Sequence, residues 1–108
     1  MTCDFCSATP AVRAYRTPDF VLEDVTAPGG RIQRISTEGW AACADCAALI
    51  DAGDEEGVID RSTDRLRRTN PRWGALSRPQ ARAAIANMQR RFFVILAAVP
   101  EDVTREEL

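Results

Sequence analysis

Histidine and lysine are both missing from this chain: all fourteen of its cations are arginine, set against sixteen acids for a formal net charge of −2. Without histidine there is no imidazole general base, no Ser-His-Asp triad and no histidine metal ligand. Without lysine there is no Schiff-base nucleophile and no P-loop lysine. Arginine-only usage fits codon bias in a high-GC genome rather than a choice for phosphate. Carboxylates remain, but Asp51, Asp54, Glu55, Glu56 and Asp60 crowd expected helix ends, where capping accounts for them. The composition points to a non-enzymatic protein. Long apolar runs are missing too. The longest, Phe92 to Val99, is eight residues, against the ~20 that a bilayer span requires. Cys3 and Cys6 stand where a secretory leader would need a charged and then an apolar region. The expectation is a soluble, cytoplasmic chain with no membrane partner.

Charge is unevenly spread. Residues 1–60 carry four arginines and eleven acids, a net of −7, and residues 61–91 carry nine arginines against Asp64, a net of +8. Residues 92–108 return to −3. A basic block of this kind either meets an anionic partner or pairs with the acidic block of its own chain. Arg61, Arg65, Arg68 and Arg72 recur at helical spacing, and Trp73 follows them. Arginines beside an exposed indole can neutralise and stack a nucleic acid; a solvated face and an indole that plugs the core are the competing readings.

Two strand-like runs, Phe20 to Val25 and Arg31 to Ser36, flank Pro28-Gly29-Gly30 and predict a hairpin, with a further short strand over 12–16. From Ala41 the pattern turns helical. Gly53 suits a helix C-terminus, Asp54 the N-cap of a helix that Asn70-Pro71 ends, and residues 73–76 a loop. Ser77 and Gln80 spell a capping box opening a helix that reaches about Val99. Along it Ala81, Ile85, Met88, Phe92, Ile95 and Val99 recur at spacings of 4, 3, 4, 3 and 4, one apolar stripe. A stripe of that length predicts a cover larger than the short N-terminal half offers, most simply the same helix of a second copy. Ile85, Met88, Phe92, Ile95 and Val99 are thus expected at a partner interface; a fold-back of the preceding helix is the alternative.

All four cysteines lie in two C-x-x-C pairs, Cys3-Asp4-Phe5-Cys6 and Cys43-Ala44-Asp45-Cys46. Pairs so spaced can close a tetrahedral all-thiolate site, and four protein ligands leave no open position, so the ion would be structural. Zinc is the expected cofactor, one ion per chain. Iron takes the same ligands, but Gly or Pro usually loosens such knuckles and neither lies within these. Disulfides suit an oxidising compartment, and thiol redox chemistry remains a third reading.

The order of knuckle, hairpin and a helix carrying the second pair resembles the treble-clef zinc finger. The C-x-F-C knuckle and Cys43-Ala44-Asp45-Cys46-Ala47-Ala48-Leu49-Ile50 are locally similar to the zinc-binding domain of the ClpX unfoldase, over about residues 1–52. The gap between the pairs is much longer here, and residues 54–108 do not resemble that protein's ATPase. Gly39-Trp40-Ala41-Ala42 ahead of the second pair, with Leu49-Ile50 and Gly53-Asp54 after it, also looks like a group of small actinobacterial proteins, a likeness that supplies no activity. The resemblance implies a finger over 1–53; with the helical signals read above, the expected fold is α+β, the finger being followed by a helical region with two further helices over 54–99 and an acidic tail over 100–108, frayed or loosely helical. The function expected is a zinc-dependent binding or adaptor module with a protein partner or a second copy of itself. A nucleic-acid-binding regulator using residues 61–91 and a thiol redox sensor are the alternatives.

Overall fold

The computed structural model describes residues 1–17, 20–24, 32–36 and 39–108, with backbone alone in the stretches 20–24 and 32–36. Its elements are β1 (Arg13–Arg16), β2 (Phe20–Asp24), β3 (Ile32–Ser36), β4 (Trp40–Ala42), α1 (Ala44–Asp51), α2 (Glu55–Thr69), α3 (Pro71–Gly74), α4 (Arg78–Ala98) and β5 (Thr104–Glu107). The class is mixed α+β, as the sequence leads one to expect. The hairpin forms with β2 and β3 antiparallel, from Phe20 opposite Ser36 to Asp24 opposite Ile32. Its predicted Pro28-Gly29-Gly30 turn lies outside the described residues.

A second, three-stranded sheet runs in the order β4-β1-β5, antiparallel throughout. Gly39 opens β4 at φ +81, and a Cβ there would collide with the Tyr15 carbonyl, so only glycine fits. The C-terminal segment corrects one expectation. After a 3-10 turn over Pro100–Asp102 it does not fray but pairs as β5 with β1, Arg13 opposite Glu107 through Arg16 opposite Thr104. Val103, 5% exposed, anchors it in the core. Arg13 bridges Glu107 at 2.7 Å and also pairs with Asp51, Arg16 meets Glu106 at 3.3 Å, and Arg105 meets Asp51 at 3.5 Å. No alternating apolar pattern announces this strand, because its partner is the free edge of β1 at the other end of the chain.

The helix signals act as read. Gly53 (φ +72) returns its N–H to the Ile50 carbonyl, and Asp54 accepts from Gly57 N at 2.9 Å. Ser77 and Gln80 make the reciprocal capping box. The stretch expected as a loop begins with a helical turn instead, α3, because Pro71 is preset for a first helical position and Asn70 caps it through Arg72 N. Helix α2 folds back on α4 with Val58, Ile59, Ser62 and Thr63 buried. The two hydroxyls return to the Val58 and Ile59 carbonyls at 2.7 Å, so they sit inside without an orphaned donor. Among the described residues no helix is long and apolar enough to cross a membrane.

The stripe on α4 corrects a second expectation. Ala81, Ile85 and Phe92 are completely buried within this chain, so Ile85 and Phe92 form no surface seam. Met88, Ile95 and Val99 are half-buried, and Ile95 packs on the same core. The finger has more apolar surface than a metal-filled module suggests, because Phe5, Tyr15 and Trp40 form an aromatic floor under Phe92.

Candidate metal centre

The first cysteine pair is shaped by backbone. Ser7 takes φ 66 just after Cys6, Ser7 N donates to the Cys3 carbonyl at 3.0 Å and Cys3 N to the Ala8 carbonyl at 2.8 Å. The turn so made aims Cys6 N at Cys3 Sγ, 3.5 Å away. Asp4 hooks this knuckle to β4, donating its N–H to the Ala41 carbonyl at 2.8 Å and accepting Ala41 N–H on Oδ2 at 2.7 Å. Burial raises the Asp4 pKa, and that hydrogen bond works against the rise. The second pair straddles a helix start: Cys43 is the N-cap of α1 and Cys46 lies in its first turn. That is where the helix dipole favours a thiolate.

These two units bring Cys3, Cys6, Cys43 and Cys46 together, all buried, with their sulfurs within 4.8 Å of one another and Cys6 and Cys43 at 3.6 Å. A tetrahedral ion with bonds of ~2.3 Å sets its sulfurs about 3.8 Å apart, so the four fit one metal ion with little adjustment. The thiols also behave as a crowded set. Hydrogen bonds from Cys46 and Cys6 push the Cys3 pKa well down, while the bond to Cys3 raises Cys6 to about 11 and pushes Cys46 up as well. One thiolate is favoured and its neighbours then resist ionising, so four thiolates need a cation among them.

The residues expected to meet nucleic acid divide. Arg61 turns to the cysteines: its Nη2 lies 3.9 Å from Cys43 Sγ and 3.2 Å from Asp45 Oδ2. Burial lowers its pKa, but the bonds to Cys43 and Cys46 outweigh that and raise it, so it stays charged. Arg61 therefore stands beside the cysteine cluster and not on an open basic face. Arg65 is half-buried with an unpartnered Nε, whereas Arg68 and Arg72 are exposed. Among the described residues none of these three has a carboxylate partner. Much of the rest of the basic block is neutralised internally. Arg78 reaches Asp64 at 2.9 Å and Asp60 at 3.3 Å, and Arg82 reaches Asp60 at 2.7 Å and pairs with Glu56. Arg90 spans Glu55 and Glu56 at 3.2 and 2.9 Å.

Trp73, half-buried, lines a hollow of about 230 Å³ with Asp4, Phe5, Trp40, Leu66, Met88 and Gln89. Gln89 is a site residue that the apolar stripe by itself does not mark. It is 3% exposed, donates Nε2 to the Phe5 carbonyl at 3.1 Å, and leaves Oε1 unpartnered. Its signal was there to read: a polar residue set between Ile85 and Phe92 on the buried stripe. Asp45, which tethers Arg61, was equally legible as the one acid inside the second C-x-x-C pair. Comparison of the chain with protein-family models, with curated proteins and with solved structures finds no match.

Proposed function

We propose that this protein is a non-enzymatic, zinc-dependent binding module whose partner is another protein. The observation that carries the reading is the closed set of four buried thiols, which fills a tetrahedral ion's coordination and leaves no position for a substrate. Zinc bound there by Cys3, Cys6, Cys43 and Cys46 supplies cross-linking of the knuckle to α1 and no reaction chemistry. Knuckle, hairpin and cysteine-capped helix follow one another in the treble-clef order, which fits a structural ion. A protein partner is favoured over nucleic acid because the acids of α2 and α1 already hold Arg61, Arg78, Arg82 and Arg90. Such pairing leaves less cation to release counterions from a phosphate backbone. The second reading rests on Arg65, Arg68 and Arg72, which lack carboxylate partners among the described residues and lead along α2 and α3 to Trp73.

Elemental analysis and native mass spectrometry of protein made without added metal test the zinc. One zinc per chain is expected, and chelation should collapse the dispersed NMR spectrum of residues 1–53; folded, reduced protein without metal would overturn the proposal. The partner class is decided by gel shift at ~50 mM salt and micromolar protein, within the range of non-specific binding. No shift is expected. A shift that fades steeply with salt and disappears in the Arg65, Arg68 and Arg72 to Ser triple variant would establish the second reading instead.

A further inference from the structure

Four thiolates around a divalent ion carry a net charge of −2, and such a charge is costly in a buried place unless hydrogen-bond donors or a cation face it. Among the donors that face sulfur are Cys6 N, to Cys3 Sγ at 3.5 Å, and the Arg61 guanidinium, to Cys43 Sγ at 3.9 Å. Only the second brings a full positive charge. It also stands where the cluster is least protected, since Cys43 is 6% exposed while Cys3 is 2% and Cys6 and Cys46 are 0%. Asp45, three-quarters exposed and on α1 itself, holds the guanidinium from outside at 3.2 Å. The Nε of the same guanidinium is buried and has no acceptor. Neutral thiols give that N–H little to bond, whereas thiolates around an ion would give it a negative neighbour.

We propose that Arg61 is the positioning residue of the metal centre: tethered by Asp45, it donates to the Cys43 sulfur and covers it. In this role it sets how fast the ion is lost and how late Cys43 reacts. The inference rests on the zinc reading and adds to it a residue that holds no metal itself. Lysine cannot replace it fully, because a point charge lacks the planar fork that spans a sulfur and a carboxylate together.

The test compares wild type with Arg61→Met, Arg61→Lys and Asp45→Asn, each loaded with zinc and checked for one ion per chain. Zinc transfer to a chromogenic chelator is timed, and cysteine alkylation is followed site by site by mass spectrometry. Loss of an outer partner of a metal ligand typically costs 10–100-fold in affinity, so release from Arg61→Met should quicken by about tenfold or more. Arg61→Lys should fall between, Asp45→Asn should show a smaller rise, and Cys43 should move from a late to an early alkylation site. Zinc-loaded Arg61→Met that releases its ion at the wild-type rate, with the same alkylation order, would overturn the proposal. Should Arg61→Met not fold, wild-type rates in both Arg61→Lys and Asp45→Asn would overturn it as well. Wild type that binds no zinc fails at the earlier step and rejects the zinc reading itself.

Discussion

The ring of Phe92 lies against four others, Phe5 of the knuckle, Tyr15 of β1, Trp40 of β4 and Phe93 of its own helix, at centroid separations of 5.2, 5.5, 5.7 and 5.3 Å. Three of these contacts, those to Phe5, Tyr15 and Phe93, are edge-to-face, the arrangement that ring quadrupoles favour. This one side chain joins α4 to the finger, and truncating it leaves a cavity that a floor of large rigid rings cannot close. Phe92→Ala should therefore cost about 3–5 kcal/mol, the usual range for a buried Phe to Ala change. Urea unfolding at saturating zinc measures it. Phe92→Asp should unfold the helical region outright; folded zinc-loaded protein carrying that change would contradict the burial seen here. That Phe92 is apolar and on a stripe was legible. Its partners were not, because three of the four rings lie in segments far away in sequence.

At the scale of elements, α2 and α4 are joined by an apolar seam and by an outer row of ion pairs. Hydrogen bonds from Arg90 and then Arg82 hold the Glu56 pKa below its ordinary 4.5, and Arg82 and Arg78 hold Asp60 and Asp64 below 3.8. A carboxylate with a depressed folded pKa stabilises the fold fully above its ordinary value and loses that contribution as pH falls through the folded one. These pairs are largely solvent-exposed, so their effect is small and screened by salt. Arg82→Met, which keeps the packing of the stem, should be less stable than wild type at pH 7. The gap should close below about pH 4, and should narrow in 1 M salt at neutral pH. Chemical denaturation of both proteins at equal zinc loading reads it. A gap that persists unchanged in acid would assign the loss to packing and not to the ion pairs. The sequence displayed the basic block and the acidic block; that they face one another followed only from the fold-back of α2 on α4.

For the whole molecule, the outermost parts of the described chain meet on one sheet. Leu108 N donates to the Val12 carbonyl at 3.0 Å, Val103 enters the core beside the knuckle residues, and Tyr15 OH donates to Asp51 at 3.0 Å under Arg105. Ending the chain after Asp102 removes β5 and Val103 and uncovers the edge of β1. Zinc stoichiometry should stay at one, since neither knuckle nor α1 is touched. Stability should drop by about 2 kcal/mol or more from the lost Val burial alone, and hydrogen exchange at residues 13–16 should quicken. Unchanged exchange there would mean that β5 adds nothing to the sheet.

The local features of this protein follow from its sequence. The two cysteine pairs with their spacings, the caps at Gly53, Asp54 and Ser77, and the hairpin all follow from residues within a few positions of one another. Backbone preference and side-chain-to-backbone bonding act at that range. Tertiary structure alone decided which surfaces were spent. It covered Phe92 with the chain's own aromatic floor, buried Ile85 on the helix against which α2 folds back, turned Arg61 from a basic stripe to the cysteine cluster, and gave the acidic tail a strand partner. Each of these depends on what a side chain or strand edge meets across the fold, and burial and charge pairing are properties of that meeting rather than of the residue.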